Sequence, residues 1–446
     1  MRSAAAAQSA GADHGDRVPI EPATASSPPA LRYHWDGDRA LFWRHLSRFR
    51  FDDNAMPPTA YHLITAINSL RRLFSPTCRY IRTMASPGDL IVEREEVHRF
   101  MTDVMKSQGV NPSHADQLAD VLVEADLRGH YSHGLNRLDM YLKDIHSNVC
   151  KVDGTPTILK ERAGSAWVDG HSLLGPVVGN FCMDLAIKKA KDTGVGWVVA
   201  KGSNHYGICG WYVLKAMEQG MMAMSFTNTS PVMYPTRSSV PALGTNPLSL
   251  GANGTGGDSY VLDMATTTVA IGKVEISERR GHEVPETWGV MKDGTTSTDP
   301  SKILHGGGLY PLGGDEICGG YKGYGMGSLV EIFCGILAGA HWGPNIRKWM
   351  SAKEDADLGQ CFIAVDPEAF APGFSDRMQD FMDTMRNLPP VDPEKKVLVP
   401  GDKERVHQKV VEKCGGIPYH PNQITNAELL AKTYNVAPMK VIKVYQ

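Results

Sequence analysis

The chain has 446 residues, with 46 Lys and Arg against 49 Asp and Glu, and a formal net charge of -3. This balance carries no basic surplus, so nucleic acid is excluded as a general partner. The hydrophobic fraction of 42% and the charged fraction of 21% are typical of a globular protein that buries a large core. The longest apolar stretch, residues 328–342, contains Glu331 and is too short to span a membrane. A transmembrane protein is therefore excluded too.

Residues 1–84 differ in character from the rest of the chain and form a predicted disordered or targeting extension. Residues 1–30 are rich in Ala, Ser and Pro, which favours disorder. Residues 57–83 contain four arginines and no Asp or Glu, and this pattern resembles a mitochondrial presequence. The alternative, which we favour, is an unfolded upstream extension with Met84 as a second start. We accordingly expect a cytoplasmic protein, with a mitochondrial location as the alternative.

The remaining chain divides into three predicted parts. Residues 88–155 form a helical substrate or oligomerisation part, with helices over 93–108 and 112–126 and an N-cap at Asn111 or Ser113. Residues 156–343 alternate short β-like runs with helical stretches and glycines, which indicates a central α/β cofactor-binding domain. Residues 344–446 form a C-terminal part that packs with the helices. It contains an isolated strand at 361–365, a helix at 375–386 and a short strand at 397–400.

A first polar cluster follows the second predicted helix. If the next helix begins near Ser132, then His133, Arg137 and Tyr141 fall on one face, at i, i+4 and i+8. An imidazole, a guanidinium and a phenol together suit a carboxylate substrate that carries a hydroxyl or a carbonyl group. Ser132 would hydrogen-bond the substrate or position the imidazole. The alternative is that Ser132 caps the helix and the histidines lie on the surface.

A second cluster, residues 202–207 with the sequence GSNHYG, lies between an apolar strand and a helical run. Free backbone N–H groups at such a helix start stabilise a phosphate or an oxyanion near Tyr206 and Cys209. His205 stands at the turn, where its side chain reaches into a cleft. The alternative is a capping turn with an incidental histidine.

Two further segments carry polar or glycine-rich turns. Residues 243–248 (LGTNPL) and 263–268 (DMATTT) precede a predicted helix over 270–280, at a strand end of the kind where α/β folds bind ligands. Residues 319–325 (GGYKGYG) precede a predicted helix over 328–340, and Lys322 is placed to pair with phosphate. The alternative for the glycines is tight packing alone.

Several familiar signatures are missing from the sequence. It has no GxGxxG after an early strand, no GxxxxGK[ST], no HExxH and no GxSxG, so a standard Rossmann unit is not indicated. The 8 cysteines are scattered without a CxxC pair or zinc-finger spacing. We therefore predict free thiols in a reducing compartment and no metal site.

Five motifs in order now carry a family resemblance: EADLRGHYSHGLNRL, GVGWVVAKGSNHYG, LGTNPLSL, YVLDMATTTVAIGK and PLGGDEICGGYKGYGMGSLVEIFCGILAGA. With this order and spacing, the chain from about residue 90 to the C-terminus resembles the type 2 malate/L-lactate dehydrogenase family. That family also includes ureidoglycolate, sulfolactate and Δ1-piperideine-2-carboxylate oxidoreductases. The resemblance does not extend to residues 1–84.

The resemblance implies a homodimer that transfers hydride between NAD or NADP and a small 2-hydroxy acid, of the malate/oxaloacetate or L-lactate/pyruvate type. The implied fold is an α/β, non-Rossmann dinucleotide-binding fold with a mixed sheet, plus a mainly helical domain from both chain ends. The family's catalytic Ser-His pair falls on Ser132 and His133, its second candidate proton carrier on His205, and its carboxylate-binding arginine on Arg137. Tyr141 joins Arg137 as a substrate-binding candidate. The implied cofactor contacts are His205, Tyr206, Gly207, Ile208, Cys209, Thr245, Asp263, Met264, Ala265, Tyr321 and Lys322.

Two departures from the family pattern bear on function. Tyr131 stands where many members carry Asp or Glu, and Lys273 stands where the imine-reducing branch has an acid. The second departure argues against the alternative that the protein reduces a cyclic imino acid. Another alternative is an inactive NAD(P)-binding or regulatory protein on the same scaffold, but His133, Arg137 and His205 are all retained. A histidine with an ordinary pKa of roughly 6.5 would serve both reaction directions.

We predict that a chain beginning at Met84 folds and keeps its activity, because every motif that resembles the enzyme lies after it. Circular dichroism and turnover, compared with the full chain, check this. Loss of folding on deletion of residues 1–83 would show that the extension belongs to the core.

Overall fold

The computed structural model describes residues 85–279 and 281–446. Its first part contains a strand and three helices: β1 (Leu90–Val92), α1 (Arg94–Ser107), α2 (Pro112–Leu127) and α3 (Leu138–His146). The side chain of Asn111 caps α2 by accepting a hydrogen bond from the Ser113 amide at 2.9 Å. Of the two expected caps, Asn111 is the one used. The predictions about residues 1–84 lie outside the described residues.

A mixed seven-stranded sheet forms the centre of the described chain, in the order β2-β3-β4-β11-β5-β6-β7. β3 and β4 pair in parallel and the other neighbours pair antiparallel. Its strands are β2 (Thr157–Arg162), β3 (Ser165–Asp169), β4 (Val195–Ser203), β5 (Met222–Thr227), β6 (Leu248–Asn253), β7 (Ser259–Met264) and β11 (Leu358–Val365). The helices that pack on it are α4 (Gly175–Thr193), α5 (Gly210–Met217) and α8 (Gly320–Glu331), whereas α6 (Ile271–Arg279) packs with the residues that follow it, such as Ile303. The predicted α/β, non-Rossmann class is confirmed.

The sheet is covered on both faces. Val198 of β4 and Phe362 of β11 pack into the core cluster that contains α4 residues such as Met183. The alternate residues Val199 and Cys361 pack into a second cluster with Val330 of α8. Because both faces of β11 are buried, its sequence is nearly continuously apolar rather than alternating. The predicted strand at 361–365 is confirmed as part of β11, but it is not isolated, since β11 lies between β4 and β5.

A small sheet joins the two ends of the described chain, with β1 between β12 (Ile417–Tyr419) and β13 (Val441–Val444). The C-terminal helices are α9 (Phe374–Arg386), α10 (Asp402–Cys414) and α11 (Pro421–Tyr434). The helical part is therefore built from both chain ends, as the resemblance implied. The predicted strand at 397–400 is wrong, because those residues form no strand. The division at 155 and 343 stays a prediction.

A peripheral subdomain lies between α6 and α8. It contains β8 (Gly289–Val290), β9 (Thr296–Ser297), β10 (Gly308–Leu309) and α7 (Pro300–Leu304). Beyond it, the glycine-rich run forms α8 itself, which continues into a π-helical turn, Ile332–Ile336. The predicted turn at 319–325 and helix at 328–340 are thus shifted. In residues 85–279 and 281–446 no helix is long and apolar enough to cross a membrane.

Candidate active site

A cleft of about 570 Å³, counted with its solvent-open part, brings together residues from distant segments of the chain. Its polar wall contains His133, Arg137 and His205, which the sequence analysis singled out. Tyr206, Gly207 and Thr245 line it as well. Several other lining residues were not predicted as site residues, among them Thr229, Ser230, Ile271 and Trp349. The polar run TNTS directly after β5 was a signal for the first two, whereas Trp349 comes from a loop without a motif.

The turn that carries Ser132 and His133 is held by the buried carboxyl group of Asp126. Its Oδ2 accepts hydrogen bonds from the Leu135 amide at 2.9 Å and from the Tyr419 hydroxyl at 2.7 Å. Gly134 allows this close approach, because a Cβ there would lie 1.9 Å from Asp126 Oδ1. Burial raises the pKa of Asp126 to about 7. Both ends of the chain thus contribute to the position of the turn.

The helix does not begin near Ser132, as a shared face of His133, Arg137 and Tyr141 would require. A 3₁₀ turn, Leu135–Arg137, precedes α3, so His133 lies in the turn and not on a helical face with Arg137 and Tyr141. The Asp126 contact stabilises this turn instead of a longer helix. Ser132 Oγ lies 2.9 Å from Nδ1 of His133, so the serine positions the imidazole.

His205 is anchored through Nδ1. The Gly207 amide donates to this nitrogen at 3.2 Å, and the Tyr141 hydroxyl lies 2.7 Å from it. Since an amide N–H is only a donor, Nδ1 is the acceptor in both contacts and the neutral ring carries its proton on Nε2. Tyr141 is 2% exposed and does not line the cleft, so its hydroxyl contacts His205 from behind the cleft wall, and its role in substrate binding stays a prediction.

The two imidazoles lie together, with ring centroids 5.7 Å apart. Burial, with the charges of Arg137 and Arg347, lowers the pKa of His205 to about 3. Burial, His205 and Arg137 also lower the pKa of His133 well below its ordinary value. The expectation of an ordinary histidine pKa is therefore wrong, and both rings are neutral at neutral pH.

Arg137 is 7% exposed and faces the same cleft. Its Nη2 donates to Glu275 Oε2 at 3.3 Å, and its guanidinium carbon lies 5.3 Å from the centroid of the Trp349 ring. Among the described residues, its buried Nε has no hydrogen-bond partner. A buried donor without a partner costs free energy, so this guanidinium is suited to donate hydrogen bonds to an anionic ligand.

The other predicted cofactor residues fall into three positions. Ile208 and Cys209 are buried, and the Tyr206 hydroxyl lies 2.7 Å from Cys209 Sγ. Asp263 accepts from the Gly210 amide at 2.7 Å, so its carboxyl group occupies part of the predicted anion position at the start of α5. Burial raises the pKa of Asp263 to about 7. Met264 and Ala265 follow at the end of β7. Tyr321 and Lys322 are exposed on α8 and do not line the cleft.

Comparison with known proteins identifies the scaffold. Residues 92–427 match the family model described as malate/L-lactate dehydrogenase. The chain belongs to the malate/L-lactate dehydrogenase family. It is 36% identical to malate dehydrogenase of Pyrococcus horikoshii over 348 residues, 77% of this chain and 96% of that protein. It is likewise 36% identical to malate/(S)-sulfolactate dehydrogenase of Methanothermus fervidus over 329 residues, 73% and 93% of the two chains.

Solved structures agree with this assignment. Malate dehydrogenase from Entamoeba histolytica superposes with a TM-score of 0.75 at 31% identity, over 78% of this chain and 99% of that chain. The Pyrococcus horikoshii structure gives 0.73 at 34% identity, over 79% and 98%. As a member of the family, the protein is an oxidoreductase of hydroxy acids.

We predict that Asp126→Ala lowers the free energy of unfolding by about 2–4 kcal/mol, because two buried donors lose their acceptor. Asp126→Asn, which keeps one acceptor oxygen, loses less. Denaturant unfolding measures both against Asp116→Ala, which removes a carboxylate whose side chain is 49% exposed on the same helix, and for which we expect less than about 0.5 kcal/mol. Equal losses at positions 126 and 116 would contradict the role of the Asp126 contact.

Proposed function

We propose that the cleft oxidises a 2-hydroxy acid and reduces the matching 2-oxo acid, with divided roles for its two histidines. The supporting observation is the hydrogen bonding of His205. Because Nδ1 accepts from Gly207 and Tyr141, Nε2 of the neutral ring is protonated and has no free lone pair. His205 therefore donates a hydrogen bond to the substrate oxygen, and proton transfer falls to His133.

His133 is the proton carrier in this proposal. When its Nδ1–H donates to Ser132 Oγ, its Nε2 offers a lone pair to the cleft. In oxidation, Nε2 takes the hydroxyl proton while the hydride leaves C2. In reduction, the same nitrogen returns the proton to the developing alkoxide, which His205 stabilises. The lowered pKa of His133 keeps it in the accepting form, and a substrate carboxylate on Arg137 would raise that pKa in the complex.

Arg137 binds the substrate carboxylate. Its unpartnered Nε and its long contact with Glu275 leave donors for a bidentate pair, which orients C2 beside the histidines. Trp349 supports the guanidinium through its ring face.

The cleft also fits a nicotinamide ring. Its lining includes the apolar residues Val232, Pro247 and Ile271 and the hydroxyl-bearing residues Thr229 and Ser230, a mixture that suits a flat ring with an amide group. NAD or NADP supplies the hydride acceptor or donor when bound. Contacts with the remaining predicted cofactor residues, the choice between NAD and NADP, and the cytoplasmic location stay predictions.

We also propose a homodimer, as the resemblance implied. The region from α8 onward exposes large apolar side chains at Tyr321, Leu329, Ile332, Ile336 and Leu337. Contiguous apolar surface of this kind is typical of an interface between subunits.

We predict that Arg137→Lys lowers kcat/KM for the 2-oxo acid, which corresponds to a loss of about 2 kcal/mol in transition-state stabilisation. The reason is that lysine keeps the charge but loses the guanidinium fork. NADH affinity, followed by fluorescence titration, stays nearly constant. A panel of 2-oxo acids with NADH and NADPH, read by absorbance, gives the kinetics.

Arg128→Lys is the matched control, since Arg128 pairs with Glu124 outside the cleft. If Arg137→Lys weakened NADH binding as much as turnover, Arg137 would belong to the cofactor site, and the proposed substrate position would be wrong.

A further inference from the structure

A second cleft of about 470 Å³, again counted with its solvent-open part, adjoins the first. The two share five wall residues: His205, Thr229, Ser230, Trp349 and Leu358. Beyond Trp349 the second cleft extends to Lys143, Asp144 and Arg347, none of which has a role in the proposed function. A molecule held beside His205 therefore has space to continue into this second cleft.

Arg347 is the buried cation of the second cleft. Its side chain is 10% exposed, and its Nη2 lies 2.5 Å from Asp144 Oδ2, on a carboxylate that is 8% exposed. Its Nη1 donates to the Glu354 carbonyl at 3.3 Å. A guanidinium has five N–H donors, so these two contacts, the ones it makes within the described part of the chain, leave donors for a ligand.

The charges of this cleft favour an anion. Lys143 and Arg347 provide two cations against the single carboxylate of Asp144. A buried ion pair adds little net stability compared with apolar residues of similar size. The stability of the fold alone therefore does not explain why the Arg347–Asp144 pair lies beside the first cleft. Asp144 lies one helical turn after Tyr141 on α3, so the helix that anchors His205 also fixes Arg347.

His205 lines both clefts, and each cleft contains one guanidinium group. The charges of Arg137 and Arg347 both contribute to its lowered pKa. Arg137 lines the first cleft and Arg347 the second, while His205 lines both. A substrate whose C2 oxygen faces His205 thus has one arginine on the side of each cleft.

We propose that Arg347 forms a second anion subsite, which binds the far charged group of a 2-hydroxy acid whose C1 carboxylate lies on Arg137. This inference rests on the proposed function and specifies its substrate class as dianionic. A terminal carboxylate and a terminal sulfonate share the required chemistry, because oxygens of either accept hydrogen bonds from a guanidinium. A terminal methyl group, as in L-lactate, offers no acceptor to Arg347.

The test compares kcat/KM for oxaloacetate, 3-sulfopyruvate and pyruvate with NADH and NADPH. Arg347→Lys keeps the charge opposite Asp144, and the double variant Asp144→Asn with Arg347→Gln removes the pair without leaving a buried charge unpaired. Lys348→Gln is the control, since this adjacent lysine is exposed and lines neither cleft. Binding of L-malate and of L-lactate to the enzyme–NADH complex, in which neither reacts, is followed by tryptophan fluorescence.

We expect the full chain to have a higher kcat/KM for a dianionic acid than for pyruvate. In the double variant this ratio should fall by about 10- to 100-fold, because kcat/KM falls for the dianionic acid and stays the same for pyruvate. L-malate binding should weaken in the same variant, with L-lactate binding unchanged. The acid whose kcat/KM falls further in the double variant, oxaloacetate or 3-sulfopyruvate, shows whether the subsite is built for a terminal carboxylate or a terminal sulfonate.

A full chain that uses pyruvate as well as the dianions, or Arg347 variants that lower all three acids equally, would overturn this inference and leave the proposed function intact. NADH binding without turnover of any of the three acids would contradict the proposed function, and this inference with it.

Discussion

The two hydrogen bonds at Nδ1 of His205 are the constraint on which the chemistry of the cleft depends. They require an amide from the turn after β4 and a phenol from α3, so the sheet and the helical part must both be in place. The turn itself requires a glycine at position 207, because φ there is +81° and the Cβ of any other residue would lie 2.2 Å from the Val121 side chain of α2. With Nδ1 fixed as an acceptor, the neutral ring of His205 is a donor at Nε2, and the function we propose therefore assigns proton transfer to His133.

Charge burial is the second feature of the site. Arg137 and Arg347 are both largely withdrawn from solvent, Arg137 beside the half-buried Glu275 and Arg347 beside the buried Asp144. Taking such groups out of water costs free energy, which the pairing offsets only in part. Together with burial, their positive charge lowers the pKa of His205, and in the function we propose the same charges bind the anionic substrate.

The sequence predicts the fold class and much of the cleft, because the long motifs lie at strand and helix ends that the fold brings together. His133, Arg137, His205 and Thr245 all line the cleft as expected. The place of β11 was missed, because it pairs with strands more than 100 residues earlier in the chain and its apolar run shows no alternation. Glycine content alone made α8 look like a turn, although its packing against β5 and the π-helical turn keeps it helical.

Roles that depend on tertiary contacts were beyond the sequence. Three such features are the position of Tyr141 behind His205, the hydrogen bonds from Tyr419 to Asp126 and from Gly210 to Asp263, and the wall formed by Trp349 and Arg347. Each depends on residues that are distant in sequence. Burial, which sets the histidine pKa values, is likewise a property of the folded chain.

The most direct test of the division between the histidines is ¹⁵N NMR of the full chain with labelled histidine, assigned with His205→Gln. The account predicts that Nδ1 of His205 is unprotonated and Nε2 protonated, unchanged between about pH 5 and pH 8, since its pKa is about 3. A protonated Nδ1, or a titration of His205 near its ordinary pKa, would contradict it.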